Sequence, residues 1–453
     1  MRHFLKALAI ALLCLFALPV SAQIKHVILI SIDGFHPDMY LDQSWPAPNL
    51  RALMKSGTYA DHCLSVFPSY TYPSHTAMIT GAFPASSGVN FNQPIGSKGE
   101  WFWDYNAVRV PGLWQVLKSK GMTTAAVEWP VSVNAPVTYN IPEVWADDHP
   151  DDRVSEARNH ATPGLIAEVE QNATGKLDST NFNDNYFSLD ENAGRAAAYI
   201  FQTRKPAFMA VHFACVDGEE HEFGRDADSV RLALAANDRA IGDILEAINK
   251  AKLKDSTVVI VTGDHGFATI NQIMRPNRLI KKVPAKFIAS GGSAFLYRYA
   301  ETKASDVPGI IKEVTDSLNA LPKDKCKLFR IIDRRELDKM GADKDALLAL
   351  TAQPGLVFSG SVGSAQTTNH GPGTLIQQNK LDGLFIPTSG GHHGYDPNIA
   401  EMYTGFIIAG PTINKGGHIK EMRLVDMAPL ISKLLNLEFQ TPDGKPVPGI
   451  TTP

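Results

Sequence analysis

Carboxylates, imidazoles and one hydroxyl-rich turn are the groups in this chain whose types and spacing suit catalysis. Asp33 precedes Gly34, Asp217 opens the run Asp217-Gly-Glu-Glu-His221, and Asp264 precedes His265 and Gly266. Gly390-Gly-His-His393-Gly-Tyr-Asp396 is a histidine turn flanked by glycines, which let the backbone fold closely about a ligand. An aspartate beside a glycine is also what an ordinary turn wants. The added histidines change the balance, because mixed carboxylate and imidazole donors suit Zn²⁺. An all-oxygen Mg²⁺ or Ca²⁺ site would not need them. The segment Phe67-Pro-Ser-Tyr-Thr71-Tyr-Pro-Ser-His75 reads as a proline-punctuated turn running into a short helix. A hydroxyl at a helix start either caps the helix or, beside two metal ions, loses its proton readily and becomes a nucleophile. In the second case the positive helix end would receive a phosphate.

Such residues need a frame that gathers them. Residues 25–32, 207–216 and 256–262 are near-continuous apolar runs rich in valine and isoleucine. Runs of this kind are strands buried on both faces, hence a mostly parallel sheet covered by helices. Ligands bind at the carboxyl ends of such strands, which would set Asp33, Asp217 and Asp264 along one edge. Helices are expected over residues 48–57, 111–121, 229–251 and 424–437. The third is amphipathic, with Leu232, Ala236, Ile241, Leu245 and Ile248 as its apolar face. The fold class is therefore α/β, a three-layer α/β/α arrangement with a mostly parallel central sheet. Residues 133–190 and 268–385 read as two insertions that shape the rim of the site.

Composition narrows the function. The chain has 453 residues, with 43 Lys plus Arg against 47 Asp plus Glu. No basic excess is available to neutralise a nucleic-acid polymer. Arg2 and Lys6 precede an apolar run over residues 7–20, followed by Val20-Ser21-Ala22. That is the pattern of a secretory signal peptide, residues 1–22, cleaved after Ala22 and too short to span a bilayer comfortably. Residues 23–453 would then form one catalytic domain, secreted or periplasmic, with no stable membrane insertion. Cys63, Cys215 and Cys326 allow at most one internal disulfide and read as buried thiols. Glycine-rich nucleotide loops, a G-x-S-x-G elbow and H-E-x-x-H are all missing from the sequence.

Together and in this order, the motifs resemble the nucleotide pyrophosphatase/phosphodiesterase family of the alkaline phosphatase superfamily, along residues 25–400. The resemblance implies an alkaline-phosphatase-like fold and two Zn²⁺. It makes Thr71, which precedes Tyr72-Pro73, the nucleophile. It groups Asp33, Thr71, Asp264 and His265 around one zinc, and Asp217, His221 and His393 around the other. His393 rather than His392 takes the ligand place because it directly precedes Gly394-Tyr395. The phosphate-binding asparagine is Asn92 in Gly88-Val-Asn-Phe-Asn92, with Asn90 as its competitor. Tyr72 and His212 occupy the positions that would sandwich a nucleotide base.

The implied reaction is hydrolysis of a phosphodiester or pyrophosphate bond in a small molecule such as a nucleotide, through a phosphothreonine. Residues 127–133, Val-Glu-Trp-Pro-Val-Ser-Val, resemble the family's Trp-Pro-Gly-Ser stretch and contain no Lys or Arg. A monoester dianion gains from such cations, so their absence favours a monoanionic diester. Two alternatives stay open: a phosphomonoesterase or phosphonate hydrolase of the same superfamily, and a zinc-binding protein without turnover. His212 stands where the family has tyrosine and Glu220 where it has glycine, which leaves a lipid head group open as well as a nucleotide.

Overall fold

The computed structural model describes residues 23–146, 149, 152–183, 187–362 and 383–452. The signal peptide expected over residues 1–22 lies outside the described residues. The strands of the main sheet are β1 (His26–Ile32), β2 (Thr58–Leu64), β3 (Thr124–Trp129), β4 (Tyr139–Pro142), β5 (Phe208–Phe213) and β6 (Thr257–Gly263). After β7 (Ala268–Met274), β8 (Ala285–Ser290), β9 (Ser293–Arg298), β10 (Phe329–Ile332), β11 (Leu348–Ala352), β12 (Gly355–Phe358), β13 (Phe385–Pro387) and β14 (Gly391–His392), the chain returns to it with β15 (Phe406–Ala409) and β16 (Gly417–Arg423). The order is β16-β2-β15-β6-β1-β5-β3-β4. All neighbouring pairs are parallel except those of β15, which runs antiparallel to both β2 and β6.

The apolar runs behave as strands buried on both faces must. Ile28, Ile30 and Ile32 pack into one core with Leu50, Ile200 and Ile244. Val27 and Leu29 pack into the other with Met78, Trp114 and Ile431. Each fully buried aliphatic side chain contributes about 1.5–3 kcal/mol relative to an exposed one. The helices covering the sheet are α1 (Pro48–Ser56), α2 (Thr71–Thr80), α3 (Leu113–Ser119), α4 (Ser188–Arg204), α5 (Cys215–Phe223), α6 (Asp228–Lys250) and α8 (Met427–Leu434), while α7 (Val307–Asn319) packs elsewhere. Helices α1, α4 and α6 lie on the first face, α2, α3 and α8 on the second. The result is the three-layer α/β/α fold with a mixed, mostly parallel sheet.

Three local expectations need correction. On α6 the buried stripe is Val230, Ala233, Leu234, Asn237, Ile241, Ile244 and Ile248, while Leu232 is 60% exposed. Leu232 follows Val230 by two residues, about 200° round the helix, and so lies on the opposite face. Residues 207–216 are not one strand. β5 stops at Phe213, because the Asp190 carboxylate on α4 accepts the Ala214 and Cys215 backbone N–H groups at 2.9 and 3.0 Å and so starts α5. Within residues 133–190, Tyr139–Pro142 is the edge strand β4 of the main sheet. Residues 268–385 carry the antiparallel sheet β10-β11-β9-β8 and a core of their own, with Ile310, Val314 and Leu318 of α7 packed against Phe287, Leu296 and Leu350. Among the described residues there is no disulfide, and Cys63 and Cys215 are buried.

Candidate active site

Strand register does most of the gathering. Ile32 of β1 lies opposite Gly263 of β6, so the residues one step further, Asp33 and Asp264, emerge side by side. Gly34 is in the left-handed region at φ 75°, and a side chain there would strike the Glu220 carboxylate. The tight turn that glycine permits lets Gly34 N–H donate to Asp264 Oδ1 at 3.2 Å. Asp217 sits in the first turn of α5, where D-x-x-x-H spacing puts Asp217 and His221 on one face, with 3.4 Å between Oδ2 and Nε2. The last histidine arrives through β7, which follows directly from the Asp264-His265 corner and pairs antiparallel with β14. His393 thereby stacks on His265 at 3.7 Å between ring centroids and 10° between planes.

The donor atoms point at one another. Asp33 Oδ1 and Asp264 Oδ2 lie 3.2 and 3.1 Å from His265 Nε2, yet neither oxygen accepts a hydrogen bond. Thr71 Oγ1 lies 3.4 Å from the same nitrogen. Asp217 Oδ1 lies 3.8 Å from His393 Nε2 and 4.0 Å from His265 Nε2. Three clusters have metal-binding dimensions: Asp33, Asp264 and His265; Asp217, His265 and His393; and His221, His392 and His393. His265 therefore stands between the two expected ligand sets, and His392 lies close enough to join the second.

Backbone carbonyls orient the rings. His393 Nδ1 lies 2.9 Å from the Ser69 carbonyl and His221 Nδ1 lies 3.2 Å from the Gly391 carbonyl. Each Nδ1–H is thus spent on a carbonyl, which leaves Nε2 as the lone-pair donor facing the cluster.

Charge explains why these residues fit a cation. Burial, and after it the Asp217 carboxylate, pushes Asp33 well above the usual carboxylate range. Burial, and after it Asp33, does the same to Asp264. Burial also holds His265 and His393 well below the usual imidazole range, with neighbouring histidines adding to the effect. The carboxylates are crowded together out of water, and the His265 and His393 imidazoles beside them are driven to the neutral form. Dications meet both demands, and imidazole plus carboxylate is a zinc-type donor set.

Thr71 is the first residue of α2, 7% exposed, and the whole helix is buried. The phosphate-receiving helix end expected from the sequence is largely spoken for. Tyr72 N–H donates to Asn92 Oδ1 at 3.0 Å, Pro73 has no N–H, and Ser74 N–H donates to the Tyr70 carbonyl at 3.1 Å. Asn92 is thus the asparagine that reaches the start of α2, and with its oxygen engaged it presents its amide N–H groups. His75 is fully buried, its Nδ1 2.8 Å from the Thr71 carbonyl, a contact within its own helix.

Tyr72 and His212, the positions expected to sandwich a base, are both out of a substrate's reach. Tyr72 is 0% exposed and lies under Trp101, with ring centroids 5.3 Å apart. His212 is 1% exposed, with Nε2 3.2 Å from Asp33 Oδ2 and Nδ1 3.0 Å from the Glu128 carbonyl. It is a partner of Asp33 from behind. Its place on β5, opposite Ser31 and two residues short of the Asp33 position on the neighbouring strand, was the available signal. Asp190 was missed, because its role lies in closing one strand rather than in any motif. Arg153, from residues 133–190, lies 3.7 Å from Glu128 and 3.5 Å from Glu143.

Comparison with known proteins agrees with this fold. The family model for type I phosphodiesterase / nucleotide pyrophosphatase matches residues 27–396. A bis(5'-adenosyl)-triphosphatase of Xenopus laevis is 23% identical over 94% of this chain and 81% of its own length. Human ectonucleotide pyrophosphatase / phosphodiesterase 5 superposes with a TM-score of 0.65 at 20% identity, covering 93% of this chain and 97% of that one. An inactive threonine-to-alanine variant of the murine protein, solved in complex with AMP, gives a TM-score of 0.64 at 20% identity with the same coverage.

Proposed function

This chain belongs to the type I phosphodiesterase / nucleotide pyrophosphatase family, and on that premise we propose that it is a secreted hydrolase of small phosphodiesters or pyrophosphates, dependent on two Zn²⁺ and working through a phosphothreonine at Thr71. The observation that carries the reading is the convergence of Asp33, Asp264, His265, Asp217 and His393 within hydrogen-bonding or near-contact distances, with the Thr71 hydroxyl against them. Asp33, Thr71, Asp264 and His265 would hold one zinc, and Asp217, His221 and His393 the other. Bound there, zinc lowers the pKa of a hydroxyl and neutralises charge on the attacking and leaving oxygens.

The chain's own residues do the rest. Thr71 Oγ1 attacks phosphorus in line. The bond from phosphorus to the leaving oxygen breaks as the new ester forms, and the threonine proton passes to solvent. The Asn92 amide donates to a non-bridging oxygen, and its orientation is held by the Tyr72 N–H. Water then cleaves the phosphothreonine and restores the hydroxyl, so that two inversions give net retention at phosphorus. The buried Asp33 and Asp264 carboxylates keep their places through Gly34 N–H and His212. The lack of Lys or Arg in residues 127–133, and the pairing of Arg153 with two glutamates, support a monoanionic diester as substrate.

Rates on bis-p-nitrophenyl phosphate and p-nitrophenyl phosphate, measured after chelation and after zinc is restored, test the proposal. Zinc-dependent turnover with the diester preferred is expected. A monoester preference, or diester turnover indifferent to chelation, would overturn it.

A further inference from the structure

Beside the nucleophile-bearing helix stands an aromatic cluster that none of the chemistry above uses. Trp101, Trp103 and Trp145 are all half-buried. Trp101 covers Tyr72, the residue next to Thr71, at 5.3 Å between centroids. Trp145 packs edge-to-face against both others, 5.0 Å from Trp101 and 5.4 Å from Trp103. The segment that carries two of these rings is clamped at both ends. Phe102 N–H donates to the Asn92 carbonyl at 2.9 Å, and the Trp103 carbonyl accepts from Val133 N–H at 3.0 Å. Both indoles fall on the same neighbour, Trp145. From within, the Arg153 guanidinium sits 4.6 Å from the Trp145 ring centroid, itself held near Glu128 and Glu143.

We propose that Trp101, Trp103 and Trp145 form the surface that receives the planar organic group of the substrate, a nucleobase, in place of the buried Tyr72. The proposal rests on the phosphodiesterase/pyrophosphatase reading of the site. Trp101 lies on the ring that would otherwise stack, so the stacking layer is moved outward by one side chain. Edge-to-face packing keeps the indoles as fixed walls with part of their surface open to solvent. The cation that Trp145 can accommodate is already supplied by Arg153, which favours a neutral aromatic guest over a quaternary ammonium. The backbone link from Asn92 through Phe102 ties this platform to the residue that would hold the phosphate.

Two esters with the same leaving group isolate the effect: thymidine 5'-monophosphate p-nitrophenyl ester and methyl p-nitrophenyl phosphate. Trp101→Ala and Trp145→Ala should each lower kcat/KM for the thymidine ester by about tenfold, the scale of one lost base stack. They should leave the methyl ester within about twofold, and AMP affinity by calorimetry should fall in step with the thymidine ester. Trp101→Phe, which keeps a stacking ring, should restore most of both and guards against a folding defect in the alanine variants. Equal losses on the two esters with no rescue by Trp101→Phe, or no loss of AMP affinity in either alanine variant, would overturn the proposal. Failure of the underlying reading looks different, since the wild-type protein would then cleave neither ester.

Discussion

On one side of Thr71, Asp33, Asp264 and His265 follow directly on β1 and β6, whose parallel register brings the two strand ends level. On the other side, Tyr72 owes its surroundings to Trp101, which reaches it from residues far along the chain. Donor type and spacing suffice to define the first region, because a carboxylate just past a buried parallel strand has only one edge to occupy. The second depends on what neighbouring segments lay over it, and nothing local to Tyr72 encodes that cover. A ligand set is a property of strand ends, whereas a stacking surface is a property of exposure.

The predictions press on this contrast from both sides. The largest effect belongs to Thr71→Ala, which should lower diester turnover by about 10⁴-fold or more even with the first zinc still held by Asp33, Asp264 and His265. Thr71→Ser should keep measurable activity, and full activity in the alanine variant would remove the covalent route. Next comes Asn92→Ala, expected to cost about 10²–10³ in kcat as an oxyanion donor is lost. A purely structural role would instead appear as a lowered melting temperature with kcat preserved.

His212→Ala separates the two regions directly. If His212 serves Asp33, as its 3.2 Å contact indicates, zinc affinity measured by competition with a chelator should fall about 10–100-fold. Preference between nucleotide and simple diesters should stay the same. Unchanged zinc affinity with a lost nucleotide preference would return His212 to the base-binding role.

The smallest effect lies beneath the aromatic layer. Burial pushes the Glu128 carboxyl from its ordinary 4.5 up to about 8. Between those values the folded chain holds a proton that the unfolded chain has released, so this group's contribution to stability declines as pH rises through that window. Glu128→Gln removes the titration. The wild-type melting temperature should therefore fall relative to the variant from about pH 5 to about pH 8 and then level off. A constant difference across the range would contradict the assignment.

Much of the architecture was legible in the sequence because it rests on periodicity. β1, β6, α1 and α6 fall within one residue of their expected bounds, whereas α3 and α8 are two and three residues shorter at each end than the expected 111–121 and 424–437. The exceptions have local physical causes. Asp190, distant in sequence, ends β5 early by capturing two N–H groups. Leu232 was misassigned because a leucine looks apolar on whichever face of a helix it lies. Of the candidate site, the positions read from Asp33, Asp264, His265, Asp217, His221 and His393 are brought together. The intermediate place of His265 between the two sets, the nearness of His392 and the burial of Tyr72 all depend on packing that spacing does not encode.

Anomalous diffraction from crystals of the zinc-loaded protein, recorded across the zinc absorption edge, tests the central claim most directly. The account predicts two peaks, one within about 2.0–2.2 Å of ligand atoms from Asp33, Asp264 and His265 and the other at the same range from Asp217, His221 and His393, with Thr71 Oγ1 beside the first. A single peak, peaks held by other residues, or Thr71 turned away from them would contradict it.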